Sequence, residues 1–187
     1  MRSRIVSCVA MLTLIAAFGC GPKPIANESV LDTAGNHFSR GMRALDGGRI
    51  NIGSCSLGGA QACFDAAREH LKTRRQFGKP LAEFQALQFR LADMATELEA
   101  ARLMVLNAAA KYDAGADDTS LYSAMAKRYA TDACFQICNE ALQLHGGYGY
   151  LRDVPVERFM RDLRVHQILE GTNEIMRVII AKRLLAD

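Results

Sequence analysis

The feature that most constrains the fold of this chain is an unbroken helical repeat between residues 84 and 112. Its apolar positions alternate in steps of three and four: Phe84, Leu87, Leu91, Met94, Leu98, Ala101, Val105, Ala108 and Tyr112. This is the period of an α-helix with one apolar face, not the two-residue period of a strand. A helix of this length has to bury its apolar stripe against other long helices. The sequence therefore predicts an all-α fold.

Further helices are predicted on both sides of this repeat. The expected helices run from Leu57 to about Phe77, Phe84 to Tyr112, Ser120 to Leu144, Val154 to Leu163 and Thr172 to Leu185. Pro80 follows the end of the first, and Asp118 or Thr119 is expected to cap the third. Three long helices and a shorter fourth, joined by short loops, predict a four-helix bundle. No β-strand is predicted.

Residues 1–22 follow a different pattern. A basic start precedes an apolar run from Ile5 to Phe18, which ends at Gly19-Cys20-Gly21-Pro22. This arrangement is typical of a secretory signal peptide, and the run is short for a transmembrane helix. A mitochondrial leader and a mis-started gene model are the alternatives. Residues 23–41 are polar and lack a period, so we expect a disordered leader and a linker, followed by the bundle at 42–187.

Charge and cysteine content argue against two kinds of site. The formal net charge is +3, and no basic stretch is interleaved with aromatic residues, so nucleic-acid binding is not expected. The six cysteines include no C-x-x-C pair and no Cys/His cluster at zinc spacing, so no metal site is predicted. Cys134 and Cys138 lie on one predicted helix, where thiols act as small apolar side chains. We therefore expect reduced cysteines.

Two glycine-containing junctions stand apart from the core and the solvated surface. Arg74-Arg75-Gln76-Phe77-Gly78 places two guanidinium groups at a helix end, where they either complement the helix dipole or clamp a phosphate. The stretch from Gln143 to Tyr150 contains three glycines, which either end a helix or let a ligand approach the backbone. His145 in this stretch fits a structural role as well as a contact.

A third stretch, His166 to Glu174, contains an unusual carboxylate. Glu170 stands between Leu169 and Gly171, just before a predicted helix start. Partial burial among apolar neighbours would make this carboxylate an effective base. The alternative is a charge that complements the positive end of the following helix, as Glu174 is expected to do. Both roles fit the residue pattern.

Together these motifs resemble the C-terminal domain of the acyl-CoA dehydrogenase family. The resemblance is carried by Arg-Arg-Gln-Phe-Gly at 74–78, Leu-His-Gly-Gly-Tyr-Gly-Tyr at 144–150 and Leu-Glu-Gly-Thr-Asn-Glu at 169–174. It extends from about Gly35 to the end of the chain. The amino-acid sequence at 44–49 and 165–170 is most similar to that of members that act on isobutyryl-CoA and other short or branched acyl chains.

The resemblance implies a role for each motif. Glu170 would remove the proton α to the thioester, while the β-hydrogen leaves as hydride to FAD. Substrate contacts would come from Asp46, Gly47, Gly48, Arg49 and Lys182. Contacts to FAD would come from Arg74, Gln76, Phe77, Phe84, Gln85, Gln143, Leu144, His145, Gly146, Gly147, Thr172, Asn173 and Glu174. In the family several of these reach the flavin of a neighbouring subunit, and Thr172 at a helix N-terminus suits the pyrophosphate.

The resemblance also implies partners and a larger enzyme. Family members oxidise an acyl-CoA in fatty acid or branched-chain amino acid catabolism, pass electrons to electron-transfer flavoprotein and form dimers or tetramers. An N-terminal helical domain and a middle β-domain precede the bundle and supply much of the flavin ring site. The expected location is the mitochondrial matrix in a eukaryote and the cytoplasm in a bacterium. Two alternatives stay open: a non-catalytic bundle that retains the oligomerisation surface, and a secreted or lipid-anchored binding module.

Overall fold

The computed structural model describes residues 34–186. These residues form five α-helices: α1 (Ala34–Thr73), α2 (Gln85–Asp113), α3 (Thr119–His145), α4 (Val156–His166) and α5 (Asn173–Leu184). Two 3-10 turns, at Leu81–Glu83 and Gly146–Tyr150, and one small hairpin connect them. A compact unit begins at Phe38. The prediction of an all-α bundle is confirmed, and the predicted leader at 1–22 lies outside the described residues.

The apolar stripe predicted on α2 forms one side of the core. Its buried members are Met94, Leu98, Ala101, Val105 and Ala108. Most of the helix packs on α3, where Ala130, Cys134 and Ala141 are fully buried. These small side chains let the two helices approach closely. The helix α3 also contacts α4 and α5, so it lies at the centre of the fold.

Glycines in α1 admit side chains from two other helices. A Cβ atom on Gly53 would lie 3.1 Å from Cγ2 of Val105 in α2. A Cβ atom on Gly59 would overlap the side chain of Leu163 in α4. Gly53 and Gly59 thus permit a close approach, whereas Gly58 faces open space. The packing of α1 against α2 and α4 therefore depends on two positions that lack a side chain.

The helix α1 is longer at its start and shorter at its end than the sequence pattern indicates. It begins at Ala34, so residues 34–41 are helical and not the expected linker. This stretch contains no proline, and polar residues extend a helix readily once the following residues have formed it. The helix ends at Thr73, before the predicted end near Phe77, because the chain then turns into a hairpin.

This hairpin follows α1 directly. The strands β1 (Arg75–Gln76) and β2 (Lys79–Pro80) pair antiparallel, with Arg75 opposite Pro80. Phe77 and Gly78 form the turn with φ angles of 52° and 83°. Two consecutive positive φ angles are what a two-residue hairpin turn of this kind requires. The prediction that the chain has no strand is wrong here, because strands of two residues are too short to leave an alternating pattern.

The cysteines that the structure describes are all free. Cys63, Cys134 and Cys138 are buried, and Cys55 is exposed. Burial raises the pKa of the Cys134 thiol to about 12, so this side chain stays protonated. The prediction of reduced cysteines is confirmed for these residues. Among residues 34–186, no three His, Cys, Asp or Glu side chains are grouped as metal ligands, and no helix has the length and apolarity needed to cross a bilayer.

Candidate active site

Glu170 lies in the connection between α4 and α5, where the chain reverses direction. Glu170 and Gly171 both have positive φ angles, of 56° and 92°. Glycine adopts this conformation freely, but it is uncommon for a residue with a side chain. Strained residues of this kind cluster at functional sites. The backbone conformation therefore indicates Glu170 as a candidate functional residue, independently of any sequence motif.

The carboxylate of Glu170 lies directly against α1 at Gly48. A Cβ atom on Gly48 would be 2.5 Å from Oε2 and 2.8 Å from Cδ of Glu170, which is closer than a Cβ atom can come to another atom. Only glycine leaves room for the carboxylate at this position. The predicted base and the predicted substrate-contacting turn are distant in the sequence, and the tertiary structure brings them together.

Glu170 remains accessible from outside. Its side chain is exposed, so the partial burial expected from its apolar neighbours is not present in this chain. Leu169 and Ile168 beside it are also exposed. Exclusion of water from this carboxylate therefore requires another molecule to cover it.

Asp46 and Arg49 are buried beneath the same turn of α1, and each has 4% of its surface exposed. Nη1 of Arg49 donates to Oδ1 of Asp46 at 2.7 Å, and the hydroxyl of Ser120 donates to Oδ2 at 2.6 Å. A buried, hydrogen-bonded ion pair holds its backbone in one position. Nε of Arg49 has no hydrogen-bond partner among the described residues. The two predicted substrate contacts thus lie under Gly48 and support it.

A cleft of about 660 Å³ opens beside Asp46. Arg43 and Arg183 line it with guanidinium groups, and Ser120 lines it with a hydroxyl. Lys182, which was predicted as a substrate contact, is exposed and does not line this cleft. Neighbouring residues of a helix point about 100° apart, and here Arg183, not Lys182, is directed to the cleft. Sequence reasoning missed Arg183 because the orientation of α5 was not known.

A buried lysine lies under the loop that carries Glu170. Lys127 of α3 has none of its surface exposed. Its ammonium donates to the carbonyls of Gln167 at 3.2 Å and Gly171 at 2.8 Å, and to Oδ1 of Asn173 at 2.8 Å. Burial lowers the pKa of Lys127 to about 8. Sequence reasoning missed this residue, although a lysine on the inner face of a predicted helix is a rare placement.

Asn173 faces the interior beside this lysine. Its amide nitrogen donates to Oδ1 of Asp132 at 2.7 Å and to the hydroxyl of Thr131 at 2.9 Å. Its backbone N–H donates to the carbonyl of Gln167 at 3.0 Å. Every polar group that Asn173 would offer to the predicted flavin contact is thus used within the protein. We therefore assign Asn173 to the support of the loop.

The first turn of α5 is closed by its own side chains. Thr172 is the N-cap, and its hydroxyl accepts from the backbone N–H of Ile175 at 3.4 Å. Hydrogen bonds from its own backbone N–H and from Thr172 lower the pKa of the Glu174 carboxyl. The predicted pyrophosphate contact at Thr172 would have to replace the Glu174 carboxylate, which already occupies this helix end.

The arginine motif and the glycine-rich motif meet at the opposite end of α1. The guanidinium of Arg74 lies over the ring of Tyr148, 5.2 Å from its centroid. The rings of His70 and His145 are tilted by 32° to each other, with centroids 4.5 Å apart. Burial, His145 and Arg74 together lower the pKa of His70, so this imidazole is neutral at physiological pH. His70, Arg74 and Tyr148 line a shallow cleft of about 270 Å³.

The residues predicted to contact FAD at this end fall into two groups. The accessible ones are Gln76, Phe77, Gln85, Gln143, Gly146 and Gly147, with Phe84 half-buried. The ring of Phe77 is 90% exposed and meets Phe84 edge to face. The second group is Leu144 and His145, which are buried, and Nδ1 of His145 is 2.7 Å from the carbonyl of Ala141. The structural role considered for His145 is the one that this geometry supports.

The predicted site residues and the neighbours that the structure adds to them form two separate clusters. The Glu170 end comprises Gly48, Arg49, Lys127, Glu170, Gly171 and Asn173. The Arg74 end comprises His70, Arg74, Phe77, Phe84, Gly146, Gly147 and Tyr148. About 25 residues of α1 separate Gly48 from Thr73, which corresponds to about 38 Å of helix. The predicted flavin contacts do not converge on one place within a single copy of the chain.

Comparison with known proteins identifies a family for this arrangement. The family described as acyl-CoA dehydrogenase, C-terminal domain, matches residues 38–185. Mitochondrial isobutyryl-CoA dehydrogenase from Dictyostelium discoideum is 56% identical over 164 residues, which are 88% of this chain and 39% of that protein. Subunit CarC of the caffeyl-CoA reductase–Etf complex from Acetobacterium woodii is 45% identical over 174 residues, covering 89% of this chain and 46% of its own.

A solved structure agrees with these relatives. Butyryl-CoA dehydrogenase from Megasphaera elsdenii has a TM-score of 0.78 to this chain and 45% sequence identity, covering 81% of this chain and 39% of its own. The chain thus spans less than half the length of the relatives it matches. Acyl-CoA dehydrogenases are FAD-dependent flavoproteins. The match over residues 38–185 and the identity to these relatives show that the chain belongs to the acyl-CoA dehydrogenase family and carries its C-terminal domain.

Proposed function

We propose that this chain supplies the catalytic base for the FAD-dependent oxidation of an acyl-CoA between its α and β carbons. The observation that supports the proposal most directly is the position of Glu170. Its carboxylate rests on Gly48, at the tip of a loop with two left-handed residues. A carboxylate held at an accessible surface is suited to accept a proton from a bound molecule. Membership of the family makes the acyl-CoA thioester the expected molecule.

In this proposal Glu170 removes the proton from the carbon next to the thioester carbonyl. That proton is only weakly acidic, so the carbonyl oxygen has to be stabilised as negative charge develops on it. The backbone N–H of Glu170 makes no hydrogen bond to another backbone group of residues 34–186, and it is therefore available as one donor. FAD, when bound, accepts the β-hydrogen as hydride. The protein's own contribution is to fix the base and the donor on one side of the substrate.

We place the charged part of the substrate in the cleft beside Asp46. Arg43 and Arg183 attract phosphate groups there, and Arg forms two parallel hydrogen bonds to a phosphate. Gly48 leaves room for the carboxylate of Glu170, and the buried Arg49 holds this turn in place. The identity to an isobutyryl-CoA dehydrogenase favours a short or branched acyl chain.

We assign the Arg74 end to the flavin of a neighbouring copy of the chain. A separation of about 38 Å along α1 is too large for both ends to serve the same reacting atoms. Arg74 suits a phosphate group, and Gly146 and Gly147 present open backbone to it. The exposed ring of Phe77 offers an aromatic face. In this proposal the enzyme is a homo-oligomer, either a dimer or a tetramer.

The electron acceptor in this proposal is electron-transfer flavoprotein. The A. woodii relative is by name a subunit of a complex with such a protein, which supports this partner. The location follows from the relatives in the same way. In a eukaryote we propose the mitochondrial matrix, as in the name of the D. discoideum relative, and in a bacterium the cytoplasm.

A second candidate function is that of a non-catalytic bundle that associates with other copies. The exposed face of α2 favours it, because Phe89, Leu103 and Leu106 are each more than half exposed. Large apolar side chains on one helix face are typical of an interface. This role needs neither Glu170 nor the opening at Gly48, so substitution of the carboxylate separates the two functions.

The test of the catalytic proposal uses a chimera. Residues 38–185 replace the matching C-terminal domain of the isobutyryl-CoA dehydrogenase from D. discoideum, which supplies the other domains. We expect the chimera to exchange the α-proton of isobutyryl-CoA with deuterated water and to reduce an electron-accepting dye. Glu170→Gln should lower the exchange rate about a thousandfold, because the amide cannot accept the proton, and should leave acyl-CoA binding unchanged.

The matched control is Glu157→Gln, which neutralises the carboxylate at the start of α4 that pairs with Arg161. It should retain exchange within about twofold, since Glu157 lies at the end of α4 remote from Glu170 and an ion pair with an exposed partner contributes little. Exchange that persists in Glu170→Gln would remove Glu170 from the role of base. A chimera that folds, binds FAD and shows no exchange would favour the non-catalytic bundle.

A further inference from the structure

The exposed side chains of the loop between α4 and α5 do not explain its shape. Glu170 and Gly171 hold left-handed conformations, and the side chains of Ile168, Leu169 and Glu170 are exposed. Such a loop gains little from burial of its own side chains. Its conformation therefore depends on contacts made by its backbone to the protein beneath it.

Lys127 provides those contacts. The ammonium of Lys127 has three N–H donors and no acceptor, and it meets three acceptors within 3.2 Å. Two of them are carbonyls of the loop, at Gln167 before Glu170 and at Gly171 after it. The third, Oδ1 of Asn173, belongs to the first residue of α5. One side chain thus connects both ends of the loop to α3.

Asp132, one turn further along α3, reinforces the same connection. Its Oδ1 accepts from the side-chain amides of Gln167 at 2.8 Å and Asn173 at 2.7 Å. Together, Lys127 and Asp132 hold Gln167, Gly171 and Asn173 and leave the exposed residues 168–170 between them. Glu170 is the last of these exposed residues.

Burial of a lysine at this position is energetically unfavourable. Lys127 is fully buried, and its ammonium has no carboxylate within hydrogen-bond distance among the described residues. The charges that act on it from a greater distance are those of Asp132, Glu174, Glu170 and Arg49. A buried ammonium that bonds only to neutral oxygens is destabilised by the loss of its hydration. The hydrogen bonds of this ammonium fix the geometry of the loop between α4 and α5.

We propose that Lys127 is a positioning residue that fixes the loop carrying Glu170 and so holds the carboxylate against Gly48. The catalytic consequence of this inference rests on the proposed function, whereas the structural part does not. Substitution by methionine keeps a similar length but removes all three donors. The carbonyls of Gln167 and Gly171 then lose their buried partner, and the loop opens more often.

The test measures hydrogen exchange of backbone amides in the full chain. The reporter is the N–H of Asn173, which donates to the carbonyl of Gln167, the same oxygen that Lys127 contacts. We expect Lys127→Met to speed exchange in peptides covering 167–173 about tenfold to hundredfold. Exchange in the hairpin at 75–80 should stay the same. Lys127→Arg should restore protection at least in part, because Arg keeps the charge and the donors.

The matched control is Lys111→Met. Lys111 forms an ion pair with Asp118 at 2.7 Å and does not contact the loop, so its loss should leave exchange at 167–173 unchanged. Unchanged exchange in Lys127→Met would overturn the inference. An equal increase in every helix would also overturn it, because it would show a general packing role. If Lys127→Met fails to fold, the test uses amide exchange in Lys127→Arg. Fast exchange of the loop in a Lys127→Arg protein of normal global stability would count against the inference.

A second readout distinguishes this inference from the proposed function. In the chimera, Lys127→Met should lower kcat about tenfold while KM changes little, since the base is displaced and the substrate cleft is intact. If Glu170→Gln leaves activity unchanged, the proposed function fails, and the exchange result for Lys127 still stands. If Glu170→Gln abolishes activity and Lys127→Met leaves kcat unchanged, only the positioning role fails.

Discussion

The two ends of α1 use the same kinds of residues in opposite ways. At the Glu170 end, charged and amide groups are buried: Arg49 pairs with Asp46, and Lys127 bonds to the loop above it. At the Arg74 end, most of the predicted contacts lie at the surface, although His145 is buried, and Phe77 is almost fully exposed. The first end is held rigid by its own contacts, whereas the second is open and requires another molecule to complete it.

This difference indicates that the two ends serve different purposes. A base has to be placed to within a fraction of an ångström, and buried hydrogen bonds provide that accuracy. A surface that receives a large cofactor has to remain accessible, and Gly146 and Gly147 leave it unobstructed. The comparison predicts that small changes at the Glu170 end affect the chemical step, and changes at the Arg74 end affect cofactor retention.

Among variants that keep the Glu170 carboxylate, the largest effect is expected for Gly48→Ala. The new Cβ atom would lie 2.5 Å from Oε2 of Glu170, so the carboxylate has to move. A displacement of about 1 Å lowers rates by about a hundredfold, and we expect that loss in the α-proton exchange of the chimera. The control is Gly58→Ala on the same helix, where the added methyl group meets nothing within 4 Å.

Gly58→Ala should keep full activity and raise the free energy of unfolding by about 0.5–1 kcal/mol, because alanine favours the helix. A Gly48→Ala variant with full activity would show that contact with Gly48 does not position Glu170. This outcome would break the contrast between a rigid and an open end.

A smaller effect is expected for Arg74→Ala. Loss of its guanidinium should weaken FAD binding by the chimera about tenfold, since a charge-assisted hydrogen bond to phosphate is lost. The exchange rate of the FAD-saturated enzyme should not change, because Glu170 is about 38 Å away along α1. Isothermal titration calorimetry measures the affinity of the chimera for FAD. Arg68→Ala, which removes an exposed partner of Asp65, is the control and should bind FAD normally.

The two ends should also differ in how they make stability depend on pH. Burial lowers the pKa of Lys127 to about 8, whereas the unfolded chain has an ordinary lysine pKa of about 10.4. Between these values unfolding takes up a proton, so the free energy of unfolding gains a contribution that grows as the pH rises. Below about pH 8 that contribution is absent. Urea unfolding of the chain and of Lys127→Met should therefore give curves that diverge above pH 8.

Tyrosines and thiols titrate in the same pH range as Lys127. The difference between the two stability curves removes their contribution, because both proteins contain them. Lys111→Met should follow the unmodified chain, because Lys111 is near the surface and its ion pair raises its pKa. Parallel curves for the chain and Lys127→Met would mean that Lys127 is not buried as a charged group. The Glu170 end would then be less different from the Arg74 end than the structure indicates.

Local patterns were sufficient for the helices and for the family. The apolar stripe from Met94 to Ala108 is continuous, and all five buried members follow the three-and-four spacing. The three motifs were also readable, because short runs such as 144–150 and 169–174 depend on residue identity alone. Period and identity are properties of neighbours in the chain, and no long-range information is needed to detect them.

The placement of residues that depends on contacts between distant segments could not be predicted from local sequence patterns. Lys127 and Arg183 are ordinary basic residues in the sequence, and only the packing of α3 and α5 places one beneath the Glu170 loop and the other in the cleft. Asn173 was predicted to face a cofactor, and its amide points inward to Asp132. The face of a helix that meets a partner is decided by tertiary packing.

The sequence by itself determined that this chain is helical, where its motifs lie and which family it resembles. The tertiary structure decided that Glu170 rests on Gly48, that a buried ammonium holds its loop, and that Arg74 belongs to a separate end. The physical reason is the range of the interactions involved. Helix formation follows from contacts within a few residues, whereas a site requires hydrogen bonds and close packing between segments that only folding brings together.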